Sequence, residues 1–167
     1  MAVAAGPFLE DFTDFYAREL RPVIGLAYVL SGSRSGSEDL AQDAFMKAYT
    51  RWNQVGSCAN PGAWVRKVVS NSAVSGFRRR AAETKALVKF GNTGYVAPEM
   101  SPDAMETWAA VRQLPKRQAQ VIALRYYDGM SIADISSILN CSPNTVKTHL
   151  QRAKHTLSAQ LDDGGHQ

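Results

Sequence analysis

Between Ser142 and Ala159 the chain carries Asn144, Lys147, Thr148, His149, Gln151 and Arg152, and no aspartate or glutamate. All six side chains can form hydrogen bonds. The apolar residues among them, Val146, Leu150, Ala153 and Leu157, are spaced by four, three and four, which gathers them on one side of a helix and turns the polar set to the other. A helix that enters the major groove needs such a face for phosphates and base edges, and it must avoid negative charge. A helical hairpin with a merely solvated polar face has the same spacing. A second polar row, Lys67, Asn71, Ser75 and Arg78, runs at i, i+4, i+8 and i+11 and continues into Arg79 and Arg80, opposite the small or apolar Val65, Val69, Ser72 and Gly76.

Charge is distributed to match. The overall balance is +4, but residues 61–90 hold seven basic groups (Arg66, Lys67, Arg78, Arg79, Arg80, Lys85, Lys89) against Glu83 alone. Residues 1–60 are net acidic, 91–110 carry only Glu99, Asp103 and Glu106, and the remainder is again basic. Two basic zones flanking an acidic gap suit a polyanion held at two places, since each neutralised phosphate releases counterions. A solvated face accounts for charge alone equally well. No Ser/His/Asp, Cys/His, phosphate-loop or paired-carboxylate arrangement is visible, and His149 has no carboxylate or cysteine at supportive spacing. Cys58 and Cys141 lie far apart with no metal-ligand neighbours, so the sequence calls for no metal and no cofactor and fits a reducing compartment. With 45% apolar residues, no membrane-length apolar run and no basic start ahead of an apolar stretch, a folded cytoplasmic protein with no membrane attachment is expected.

The elements that would hold these rows are helical throughout. Apolar residues recur at helical spacing through Phe8, Phe12, Phe15, Leu20, Val23 and Ile24, and again through Leu40, Phe45, Ala48 and Trp52. The intervening SGSRSGSED breaks the period, and Ser37 is placed to cap a helix whose first turn holds Glu38 and Asp39. Asn60 as N-cap and Pro61 at the first helical position open a third helix that runs to about Arg80. From Ala81 to Pro102 periodicity is lost amid Gly91, Gly94, Pro98 and Pro102, a span long enough to divide the chain. Helices near Asp103–Gln113 and Lys116–Tyr127 follow, the latter stopped by Asp128-Gly129. The expected fold class is all-α: two small helical domains, 8–80 and 103–161, joined by a flexible linker over 81–102.

The most specific local signal is SIADISSILNCSPNTVKTHLQRAKHTL. Ser131 and Asp134 form a capping box, and Ile132, Ile135 and Leu139 share one side of a short helix. Asn140 can take the left-handed conformation that ends it. Ser142 and Pro143 then start the next helix after a turn of about three residues, which is a helix-turn-helix.

The ISxNTVKTHL-like pattern alone resembles the output domains of LuxR-type response regulators as well. The upstream half separates the two. SEDLAQDAFMKAYTRW resembles region 2.2 of the sigma-70 family, NPGAWVRKVVSNSAVSGFRRR resembles regions 2.3 and 2.4, and LPKRQAQVIALRYYDGMSIADISSILNCSPNTVKTHLQRAKHTL resembles region 4, in the family's order and over most of the chain. With no third domain between them, the arrangement resembles the extracytoplasmic-function (ECF) group. This resemblance implies a promoter-specificity subunit with no catalysis of its own, which partners core RNA polymerase and promoter DNA and helps to melt the minus-10 element. It implies that Asp39, Gln42, Asp43, Phe45 and Lys47 meet the clamp helices of the polymerase's largest subunit, with Phe45 equally suited to the core, and that region 4 meets the beta-subunit flap. It places Lys67, Asn71, Ser75, Arg78, Arg79 and Arg80 at the minus-10 element and the loop Trp52 to Asn60 where a flipped base is captured. Ser75 stands where the family pattern has Asp, so detailed promoter preference does not transfer. Trp64 reads as structural. Arg125, Asn144, Lys147, Thr148, Gln151 and Arg152 fall at the minus-35 element, with Lys147 and Arg152 suited to phosphates and Thr148 and Gln151 to base edges. An anti-sigma protein is a further partner the resemblance allows. The competing function is a stand-alone regulator that uses only the helix-turn-helix.

Overall fold

The computed structural model describes residues 10–83 and 98–164, and for 75–83 the backbone alone. Eight α-helices and one π-helical turn make up these residues, with no strand among them. Helices α1 (Phe12–Ser31), α2 (Arg34–Thr50), the short α3 (Trp52–Val55) and α4 (Pro61–Glu83) form one group. A second group comprises α5 (Pro102–Arg112), α6 (Lys116–Ile122), the π turn Ala123–Tyr127, α7 (Ile132–Leu139) and α8 (Pro143–Gly164). Most of the proposed linker lies outside the described residues. Its ends do not, since α4 reaches Glu83 and α5 starts at Pro102.

Helix α1 organises both groups. Its segment Val23–Ser31 carries no charge and is buried at every position except half-buried Tyr28. A helix apolar on all sides must be covered on all sides. Here α2 and α4 cover one flank, and α5 and the π turn cover the other. Aromatic rings lock its N-terminal half to α2 and α3: Phe15 meets Phe45 edge-on at 5.9 Å and Trp52 at 4.9 Å, and Trp52 Nε1 donates to the Glu10 carbonyl at 3.1 Å. On α4 the buried face is Val65, Val69 and Ala73, and half-buried Trp64 packs against the core.

Local capping departs from the sequence reading in one place. Ser33, not Ser37, caps α2: its backbone is extended (φ −112°, ψ 122°) and its hydroxyl accepts from Gly36 N–H at 3.0 Å. Ser37 is already inside the helix, buried, with its hydroxyl turned back onto the Arg34 carbonyl at 2.7 Å. The start shifts because Gly36 in the first turn offers an unobstructed N–H to the earlier serine. Asn60 does cap α4, with Oδ1 accepting from Ala63 N–H at 3.0 Å.

Candidate nucleic-acid interface

Two short helices and a turn set the α8 face. Ser131 Oγ accepts from Asp134 N–H at 3.0 Å to open α7, and Asn140 ends it in the left-handed region (φ 52°, ψ 53°). The Ser136 hydroxyl donates to the Cys141 carbonyl at 2.5 Å, and Cys141 N–H donates to the Ser136 carbonyl at 3.1 Å, so one residue of α7 closes the turn twice. Ser142 Oγ then accepts from Thr145 N–H at 3.1 Å to start α8. Serine hydroxyls and the turn's own backbone thus satisfy helix-end groups at this corner, which fixes the angle between the helices.

From that corner α8 buries Val146, Leu150 and Ala153 against α6 and α7. Asn144, Lys147, Thr148, Gln151 and Arg152 are all exposed, together along the opposite side. His149 does not join them. It is half-buried, its Nδ1 is shielded without a hydrogen-bond partner, and burial, followed by the charges of Arg152 and Arg117, pulls its pKa below the usual imidazole value. One helical position separates His149 from the buried Leu150, on the side where α6 packs.

The π turn positions Arg125. Asp128 N–H bonds to the Ala123 carbonyl at 3.2 Å, one residue further back than in an α-helix, so the helix expected to run unbroken to Tyr127 widens after Ile122. Arg125 is exposed and donates to the Met130 carbonyl at 2.8 Å, tying the turn to the start of the helix-turn-helix. Next to it, exposed Tyr126 receives the Lys154 ammonium over its ring at 5.3 Å.

The α4 row is less free. Lys67 is exposed, but Asn71 is half-buried and its Oδ1 accepts from Gln120 Nε2 of α6 at 3.1 Å. The side chains of Ser75, Arg78, Arg79 and Arg80 lie outside the described residues. Arg66, one of the seven basic groups of the stripe, is buried instead: Nε donates to Asp128 at 3.0 Å and a terminal nitrogen to Glu19 at 2.9 Å. Burial raises the Asp128 carboxyl above its ordinary range despite Arg66, and Glu19 adds to the rise. One guanidinium thus holds two carboxylates.

Helix α2 presents a third face. Asp39, Gln42, Asp43 and Lys47 are exposed, with an Asp43 to Lys47 ion pair of 3.0 Å, and Gln42 Nε2 donates to the Tyr16 hydroxyl at 2.8 Å. Phe45 is corrected by the structure: at 1% exposure, between Phe15 and Tyr16, it belongs to the core and offers no surface to a partner. Met46 (64% exposed) and Tyr49 (62%) share the outer stripe with Asp39, Gln42 and Asp43 and were missed by sequence reasoning. The available signal was spacing: Met46 follows Asp39 by two helical turns, and Tyr49 follows Gln42 by the same step. The stretch Trp52 to Asn60, expected as a loop, opens as the helix α3 (Trp52–Val55), and beside it an open depression of about 450 Å³ is lined by Thr50, Arg51, Asn53 and Gln54. Among the described residues no group of three His, Cys, Asp or Glu could hold a metal, and no helix is long and apolar enough to cross a membrane.

These two helical groups coincide with two family models, Sigma-70 region 2 over residues 15–83 and Sigma-70, region 4 over residues 104–157. Together the models take in most of the chain, which belongs to the sigma-70 family of RNA polymerase sigma factors, in its ECF group. It is similar to the ECF RNA polymerase sigma factor SigW of Bacillus subtilis (strain 168), 27% identical over 92% of this chain and 88% of that one. It is also similar to EcfG of Rhodopseudomonas palustris (strain TIE-1), 26% identical over 93% and 87%. Among solved structures, the sigma factor RpoE of Bartonella quintana, in complex with the anti-sigma factor NepR, matches with a TM-score of 0.70 and 26% identity over 91% of this chain and 97% of that one. CnrH, in complex with the cytosolic domain of CnrY, shares the fold with a TM-score of 0.65 at 22% identity over 91% and 88%.

Proposed function

We propose that this sigma factor binds core RNA polymerase, directs it to promoters with separate minus-35 and minus-10 elements, and promotes melting of the latter. The observation that carries the reading is the exposed polar face of α8 from Asn144 to Arg152, which holds no acidic residue, in the same chain as a second basic helix, α4. Duplex recognition and strand capture can then be divided between two groups of helices, 8–80 and 103–161, spanned by 81–102. Lys147 and Arg152 take phosphates, Thr148 and Gln151 read base edges, and Asn144 and Arg125 flank them. Lys67, Asn71, Ser75 and Arg78 to Arg80 serve the minus-10 strand, and the depression beside Arg51 and Asn53 has the size and polarity to receive a splayed base.

Asp39, Gln42, Asp43 and Lys47, joined by Met46 and Tyr49, meet the clamp helices of the largest polymerase subunit, and the region 4 group meets the beta-subunit flap. Exposed apolar residues ringed by charge are what such a contact requires. An anti-sigma protein is a further partner, as for the Bartonella quintana relative. The role is positional and carried out beside polymerase in the cytoplasm, so no nucleophile or bound metal takes part. Run-off transcription from a genomic fragment pool with purified core enzyme tests the reading. Transcripts should require the chain. Tight duplex binding in a filter assay without core, together with chain-independent transcription, would identify a stand-alone regulator instead.

A further inference from the structure

The row that α8 turns to solvent has a centre and two shoulders. Asn144, Thr148 and Gln151 each precede a buried residue, Val146, Leu150 and Ala153, by two positions, or about 200° around the helix, so they form the crest opposite the seam. Lys147 and Arg152 stand about 100° from the seam, one on either shoulder. The crest of an inserted helix meets the base edges, and here it is amide, threonine, amide. Thr148 differs from its two neighbours. Its hydroxyl donates to the Asn144 carbonyl at 3.0 Å, and a hydroxyl has a single proton to give. Thr107 makes the same bond to Asp103 and Thr156 to Arg152, both at 3.0 Å. It is a habit of helical threonine, held entirely within α8, and docking of the helix leaves it in place. With Oγ1 turned back along the helix, the γ-methyl is the group that this exposed side chain offers outward.

In the major groove thymine alone among the four bases presents a methyl group, at C5, and the adenine paired with it offers the N6 donor and N7 acceptor that a glutamine amide matches. Thr148 and Gln151 are an i, i+3 pair, with Cβ atoms about 5–6 Å apart. One A·T pair, or two stacked neighbours, lies within their joint reach. We propose that Thr148 reads its base through carbon and not through oxygen: its γ-methyl packs on the C5-methyl of a thymine in the minus-35 element, beside an adenine taken by Gln151. This inference rests on the assignment of α8 to the minus-35 element, and it names the base chemistry that the crest selects. The shoulders, Lys147 and Arg152, hold phosphates and leave that choice to the crest.

Holoenzyme assembled from core polymerase and the full chain tests this by selection from a promoter pool randomised across the minus-35 element. Competition binding to the selected promoter follows, with each thymine of that element replaced in turn by deoxyuridine, which lacks only the methyl. One replacement should weaken binding about fourfold, the contribution of a single buried methyl. Thr148→Ser keeps the hydroxyl and loses the methyl, and it should bind the thymine and deoxyuridine promoters alike. Thr148→Val keeps the methyl and loses the hydroxyl, and the fourfold difference should remain. Thr148 is exposed, so circular dichroism should show unchanged helix content in both variants. A difference that persists in Thr148→Ser, a difference lost in Thr148→Val, or an unaltered chain indifferent to every replacement overturns methyl reading. Gln151→Ala distinguishes that outcome from failure of the underlying assignment, since it should relax the selection at the same or the adjoining pair. If Gln151→Ala and both Thr148 variants all select the same sequences as the unaltered chain, α8 does not read the minus-35 element, and the assignment falls together with the inference built on it.

Discussion

Helices α4 and α8 are built to one plan, an apolar seam opposite a polar row, yet the molecule uses their rows differently. On α8 the row stands in solvent, because α6 and α7 pack on the opposite seam of Val146, Leu150 and Ala153. On α4, α6 arrives from the second group of helices, and its Gln120 meets the row at Asn71 and the backbone carbonyl of the neighbouring Ser70. Amphipathicity therefore identifies the side of a helix that cannot face water. It does not say whether the other side will.

Substitutions that separate buried from free faces have their largest effect in the core. Phe45→Ala should cost about 3–5 kcal/mol, read as a lower urea midpoint, because it empties the ring cluster between α1 and α2. Exposed Asp43→Arg should leave stability within about 0.5 kcal/mol and weaken core polymerase binding. Equal stability losses would show that α2 is not divided into core and contact faces.

On α8, Gln151→Ala should remove about 1–3 kcal/mol of discrimination among minus-35 sequences in competition binding with holoenzyme. Arg152→Ala should weaken all sequences alike and lower the salt slope by about 1, with core binding intact. Neither should move the melting temperature, since both side chains are exposed. Asn71→Ala is the contrasting case: it should cost about 1 kcal/mol of stability in the chain alone, through the lost Gln120 hydrogen bond, besides its effect on promoter use. A stability-neutral Asn71→Ala would mean that α4's row is as free as α8's.

The smallest effect concerns pH. The His149 pKa is lower in the folded chain than in the unfolded chain, where it lies near 6.5, so the unfolded state binds more protons between the two values. The contribution is complete above about pH 6.5 and is lost as pH falls through the folded value. Melting temperatures from pH 8 to pH 5 should decline less in His149→Asn than in the unaltered chain.

Much of this architecture could be read residue by residue. The Asn60-Pro61 start, the Ser131 and Ser142 caps and the left-handed Asn140 all recur in the structure, because each depends on atoms within about four residues. Ser33 displaced Ser37 as a cap within the same local rules, one serine competing with another. The π turn was hidden, since nothing in KRQAQVIALRYY distinguishes a widened turn from an α-helix. Arg66 and His149 were misplaced by reasoning from charge and polarity alone.

What the chain determined by itself is therefore local and periodic: which stretches are helical, where they begin and end, and which seams are apolar. Its order of motifs also carried the family. Tertiary structure alone decided that Phe45 is core, that Arg66 is enclosed by Glu19 and Asp128, and that Asn71 is met by Gln120, 49 residues away in the chain. Those outcomes depend on which distant surfaces come together, and a helical repeat of 3.6 residues contains no information about its partner across such a separation.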